Sequence, residues 1–164
     1  MNGEILAATF ARGGKVLVCG NGGSAAQADH FAGEMLGTYL DRNRRPFPAV
    51  SLTNASALTA IGNDFGYVET FARQVEALGK PGDLLIVLST SGRSPNVLRA
   101  AEVALRRGLF VLALTGEAPD ASLAQQSDRM LCIRCEGDTG QVQQLHLEIL
   151  HKMCLELDDL EAKR

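Results

Sequence analysis

No stretch of this 164-residue chain approaches the ~20 consecutive apolar residues that a membrane-spanning helix needs. Its N-terminus also lacks a charged segment followed by an apolar core and a cleavage site. Both absences point to a cytoplasmic protein. Basic residues are not clustered: 16 Lys and Arg stand against 19 Asp and Glu, a formal charge of −3. That is not the density expected of a surface for nucleic acid or anionic lipid. The densest basic group, Arg42, Arg44 and Arg45, reads as a solvated loop. The four cysteines, Cys19, Cys132, Cys135 and Cys154, form no framework that a chain this long would need. Cys132 and Cys135 spell C-x-x-C, but within a run that reads as a strand, where positions i and i+3 face opposite ways. Buried structural thiols are therefore expected. Internal repeats, low-complexity tracts and a proline-rich linker are absent as well. A single domain over residues 1–164 is expected, burying roughly 70% of its unfolded surface.

What is present is organised around Lys15 to Leu36, KVLVCGNGGSAAQADHFAGEML. Val16–Cys19 is a short apolar run suited to a strand buried on both faces. Gly20-Asn21-Gly22-Gly23-Ser24 then breaks it with residues that tolerate positive φ and leave N–H groups uncovered, and Ser24 is the expected N-cap of a helix over 25–36. An anion suits that helix start, which offers unpaired donors and about half a positive charge. The turn matches neither G-x-G-x-x-G nor the Walker lysine pattern, which argues against a dinucleotide or a nucleoside triphosphate and leaves a smaller phosphorylated molecule open. His30 and Glu34, four residues apart, share a helix face at roughly 5–6 Å. That is the spacing of a metal-ligand or acid/base pair, and equally of an ordinary polar face.

Along the chain, a helical pattern over 1–12 ends at Gly13-Gly14. After the opening strand and helix come a strand over 48–52 and a brief helix capped within Thr53–Ser56 and running to Ile61. A loop over Gly62–Gly66, a helix over 68–78 and a strand over Asp83–Leu88 follow. That strand runs into a second donor-rich turn, Ser89-Thr90-Ser91-Gly92-Arg93-Ser94, before a helix starting near Pro95. Two such turns after two buried strands read as ligand-binding loops at the carboxyl ends of an open sheet. A strand over 109–114, a weak helix within 115–127 and a strand over 129–135 complete the pattern. The fold class is α/β: a doubly wound parallel sheet of five strands with helices on both faces. From Thr139 a long helix carries an apolar stripe of Val142, Leu145, Ile149, Met153 and Leu157. A second stripe of Gln143, His146, Leu147, Leu150 and His151 suggests contact with another helix, of this chain or of a second subunit. His30, His146 and His151 are all the histidines of the chain, and they converge if the two helices that carry them meet.

Four ordered motifs, GNGGSAAQADHFAGE, SLTNASALTAIGNDFGY, LSTSGRSPNVLRA and QVQQLHLEILH, resemble the sugar isomerase (SIS) domain family over residues 15–157, and within it the phosphoheptose isomerases. The resemblance implies a flavodoxin-like three-layer sandwich. It also implies an isomerase interconverting sedoheptulose 7-phosphate and D-glycero-D-manno-heptose 7-phosphate, the first step toward the heptose of bacterial lipopolysaccharide. A phosphorylated heptose as partner, a homotetramer with sites between subunits, and zinc as cofactor follow from it. By motif, Asn21, Gly22, Gly23, Ser24, Asn63 and Asp64 would contact substrate, as would Glu34 and Gln143. Ser89, Thr90, Ser91 and Ser94 would hold the phosphate. His30, Glu34, Gln143 and His151 match the family's metal ligands, with Glu34 and His151 also its base and acid.

Such an isomerisation moves a proton between neighbouring carbons through an enediol. It needs a base at those carbons and something that stabilises an oxyanion. Eight residues of helix separate Gln143 from His151 by about 12 Å, so one ion meets both only if the helix starts irregularly or two chains share the site. Thr38 and the pair Gln141 and Gln144 stand where the family carries charged residues, and the N-terminal helix is shorter than usual. A second reading, from another class, is a replication-initiator-associating protein of the same fold that binds the initiator without catalysis. His151, which that group lacks, separates the two.

Overall fold

Strands and helices alternate along almost the whole chain, in a computed structural model that describes residues 2–116, 121–132 and 138–163. In order they are α1 (Gly3–Ala11), β1 (Val16–Gly20), α2 (Gly23–Leu36), β2 (Ala49–Ser51), α3 (Ala55–Phe65), α4 (Glu69–Leu78) and β3 (Leu84–Ser89). Then come α5 (Pro95–Arg106), β4 (Phe110–Thr115), α6 (Ala121–Gln125), β5 (Arg129–Cys132) and α7 (Thr139–Glu161). The strands form one five-stranded sheet, ordered β2-β1-β3-β4-β5, and every pairing is parallel.

β1 and β3 are buried at every residue, which is why both are nearly continuous apolar runs rather than alternating ones. Alternate side chains feed two separate cores. Val16, Val18, Ile86, Leu88 and Leu112 pack with Leu6 of α1, Phe31 and Met35 of α2, and Leu150 and Met153 of α7. Leu17, Cys19, Leu85, Val87 and Val111 pack with Phe71 and Val75 of α4 and Val97 and Ala100 of α5. The result is the expected three-layer α/β sandwich. Burial pushes the Cys19 thiol up to about 12, so this cysteine is an inert core residue.

The strand order reverses at β1, which has β2 on one side and β3 on the other. Loops leaving β1 and β3 therefore diverge to opposite faces and open a crevice at their carboxyl ends, the place where doubly wound sheets bind ligands.

The structure corrects several local expectations. Ser24 is not a cap: α2 starts at Gly23 behind Gly22, whose φ of 56° turns the chain one residue earlier, and Ser24 is buried in the first helical turn. Gly62–Phe65 are helical rather than a loop. The Asn54 side chain caps α3 by accepting from Ala57 N at 3.0 Å, and Asn63 bonds Asp64 at 2.7 Å rather than competing for the backbone. The chain breaks only at Gly66, with φ 88°.

The buried stripe of α7 is Val142, His146, Leu150, Cys154 and Leu157, with Met153. Leu145 and Ile149 are half-exposed, so the helix is rotated by one position, and His146 and Leu150 belong to this chain's core. Arg44 is not solvated either, since its side chain is 1% exposed and paired with Asp158. Cys135, and with it the C-x-x-C reading, lies outside the described residues.

Candidate active site

A cleft of about 280 Å³ occupies the crevice, lined by Asn21–Ser24 after β1, Leu88–Thr90 and Ser94 after β3, and Thr139 and Gln143 of α7. Its walls are the amino ends of three helices, α2, α5 and α7. Three positive dipole ends facing one small space make an anion site.

Local sequence explains each wall. A Cβ on Gly20 would lie 2.8 Å from the Leu88 carbonyl oxygen, so glycine lets β1 and β3 end side by side. In the second turn, Ser89 Oγ accepts from Gly92 N at 3.1 Å. Pro95 opens α5 behind Ser94, whose side chain makes no capping bond and is left for the cleft. Ser91 accepts from Arg93 N at 3.2 Å and does not line the cleft.

The Asn21 side chain is already committed. Its amide pairs reciprocally with that of Asn96, both bonds 2.9 Å, and its oxygen also accepts from Tyr67 Oη at 2.8 Å. What Asn21 offers a ligand is mainly the backbone of the turn. Asn96 is 1% exposed and was not singled out from the sequence. A polar residue on the buried face of an amphipathic helix was the signal for it. Asn63 and Asp64 are exposed near the end of α3, outside the residues that line the cleft.

A second group gathers where α2 meets α7. His30 Nε2 lies 3.0 Å from His151 Nε2 and 3.0 Å from Glu34 Oε1, and His151 Nε2 lies 3.4 Å from the same oxygen. Two imidazole nitrogens and a carboxylate oxygen that point at one spot repel unless a proton or cation lies among them. All three donor atoms lie within 4.8 Å of one another, so the group can hold a metal ion or shuttle protons. Tyr39 stacks on the His151 ring at 5.2 Å. Glu34, with 11% of its side chain exposed, is the most enclosed of the trio.

His146 does not join the other two histidines: it is fully buried, and burial lowers its pKa, opposed by the nearby Thr115 backbone. Gln143 stays apart too. It packs against Gly23, and its backbone oxygen accepts from Gln27 Nε2 at 2.5 Å, while α7 is regular from Thr139 onward. Within one chain, Gln143 is therefore about 12 Å along the helix from His151.

The SIS domain model matches residues 2–116. The chain is 48% identical over 157 residues to the phosphoheptose isomerase of Rhodospirillum rubrum, covering 94% of this chain and 81% of that one. It is 46% identical over 160 residues to that of Bordetella avium, covering 96% and 80%. Among solved structures, the phosphoheptose isomerase from Neisseria gonorrhoeae superposes with a TM-score of 0.87 at 42% identity, over 96% of this chain and 83% of that one. The enzyme from Francisella tularensis gives 0.89 at 37% identity, with the same coverage.

Proposed function

The chain belongs to the SIS domain family, and on that premise we propose that it is a phosphoheptose isomerase, an aldose–ketose isomerase that interconverts sedoheptulose 7-phosphate and D-glycero-D-manno-heptose 7-phosphate. The observation that carries this reading is the meeting of His30, Glu34 and His151 on helices whose amino ends wall an anion cleft.

The cleft takes the phosphate, through the hydroxyls of Ser89, Thr90 and Ser94 and the N–H groups of Gly22 and Gly23. From Gly23 to His30 is about 10 Å of helix, so an extended sugar phosphate anchored at one end brings its far end toward the trio. Glu34 Oε1 takes the proton from C1 of the ketose and returns one to C2 of the enediol. His151 Nε2 delivers a proton to O2 and accepts the one released from O1, so the exchange balances without net gain or loss. The same donor set of two imidazoles and a carboxylate also suits zinc, which His30, Glu34 and His151 would hold only while Oε1 and both Nε2 atoms carry no proton, so that the ion would stand in for the proton His151 otherwise delivers. When bound, the ion supplies Lewis-acid stabilisation of the oxyanion.

As a metal ligand, Gln143 would serve the trio of a neighbouring subunit, which fits a homotetramer with sites between subunits. Exposed Leu36, Leu40, Phe65, Tyr67 and Val68 offer apolar surface for such contacts. A charged sugar phosphate does not cross a membrane unaided, which supports a cytoplasmic place of work.

The test is a proton NMR time course of the purified protein with sedoheptulose 7-phosphate, with and without added zinc. Aldose anomeric signals are expected. Their absence under both conditions, from protein shown to be tetrameric, overturns the reading.

A further inference from the structure

We propose that Cys154 is a positioning residue for Glu34: its thiol holds one carboxylate oxygen so that the other faces the paired imidazoles. The proposal rests on the isomerase reading of that carboxylate and adds a residue to it. Cys154 Sγ donates to Glu34 Oε2 at 3.3 Å, while Oε1 is the atom that meets His30 Nε2 at 3.0 Å and His151 Nε2 at 3.4 Å. The two oxygens of Glu34 are thus distinguished by what surrounds them.

Cys154 is fully buried and lies three residues after His151 on α7. One face of one helix therefore supplies both the imidazole in front of Oε1 and the thiol behind Oε2. The terminal torsion of a glutamate is broad and roughly two-fold, so a carboxylate with no donor behind it samples several orientations. A donor on one oxygen selects among them. Full burial and an acceptor at Oε2 within 3.3 Å place the thiol as a donor to the carboxylate. A thiol is also a weak donor. It fixes the direction of the carboxylate without quenching the charge that proton abstraction needs.

The infrared S–H stretch of Cys154 reads this bond without turnover. It is isolated as the difference between spectra of the unaltered protein and Cys154→Val. The expected band lies below that of a thiol with no acceptor and moves upward in Glu34→Gln, where a neutral amide replaces the carboxylate. A band at the unbonded position, or one unmoved by Glu34→Gln, overturns the proposal. In steady-state kinetics with sedoheptulose 7-phosphate, Cys154→Val lowers kcat about 10- to 100-fold and leaves KM within about twofold. Cys154→Ser, which keeps a donor, recovers most of the rate. Full activity in Cys154→Val, or equal loss in both variants, overturns it. If the unaltered protein shows no turnover, the isomerase reading falls, and the infrared result still decides whether the thiol holds the carboxylate.

Discussion

Arg44 ties together the two helices that carry the trio, and Arg44→Met removes the tie. Its Nε lies 2.7 Å from Asp158 Oδ1 on α7, while Nη2 donates to the Glu34 carbonyl at 2.5 Å and Nη1 to those of Arg45 at 3.1 Å and Met35 at 3.4 Å. One guanidinium thus satisfies carbonyls at the end of α2 that the helix itself leaves unpaired, and neutralises a carboxylate only 6% exposed. A methionine in its place would keep the apolar stem and strand Asp158 as a buried charge. Removing one partner of a buried pair costs about 3–5 kcal/mol. At about 2–4 °C per kcal/mol for a domain of this size, the melting midpoint falls by about 6–20 °C. Thermal unfolding followed by circular dichroism measures it. Arg44→Met combined with Asp158→Leu recovers the larger part, because no charge is then left unpaired. A single variant within about 2 °C of the unaltered protein, or a double variant as unstable as the single, would refute the reasoning.

Three other outcomes are expected. With its folded-state pKa below the unfolded value of about 6.5, His146 binds fewer protons in the native state. Its contribution is complete above that value and is lost as pH falls below it. His146→Leu should therefore flatten the acid limb of a stability–pH series, and an unchanged limb counts against a neutral buried imidazole. Asn96→Ala leaves the Asn21 amide without its partner, costing about 1–3 kcal/mol and raising KM for the sugar phosphate as the turn loosens; an unchanged KM would detach this pair from the cleft. Treatment with a chelator should lower the isomerisation rate, with recovery on adding zinc, and a metal-free protein at full rate would confine the ion to a structural role.

Both turns of the cleft were legible because each is a run of small, donor-bearing residues that ends an apolar strand, a local pattern tied to one place in a doubly wound sheet. The sheet itself could be read for the same reason. The orientation of α7 is not legible in this way, because Leu145 and Ile149 are as apolar as Val142 and Leu150, and the buried stripe carries a histidine, His146, where an apolar residue would mark it. Only packing on α1, α2 and the sheet decides the rotation. Arg44 looked solvated since its partners, Asp158 and the carbonyls ending α2, are brought to it by the fold rather than by spacing. The link from Cys154 to Glu34 was hidden similarly: the two are far apart in sequence, and neither alone signals the other. His30 and Glu34 showed their shared face, but that His151 meets them depends on α2 and α7 lying side by side.

The most direct test of the central role given to Glu34 and His151 is the rate of conversion of sedoheptulose 7-phosphate by Glu34→Gln and His151→Ala, each first shown by circular dichroism and sedimentation to keep its fold and assembly. The account predicts that both lose turnover while the unaltered protein forms the aldose phosphate. Full turnover in either folded variant would contradict it and remove that residue from the chemistry.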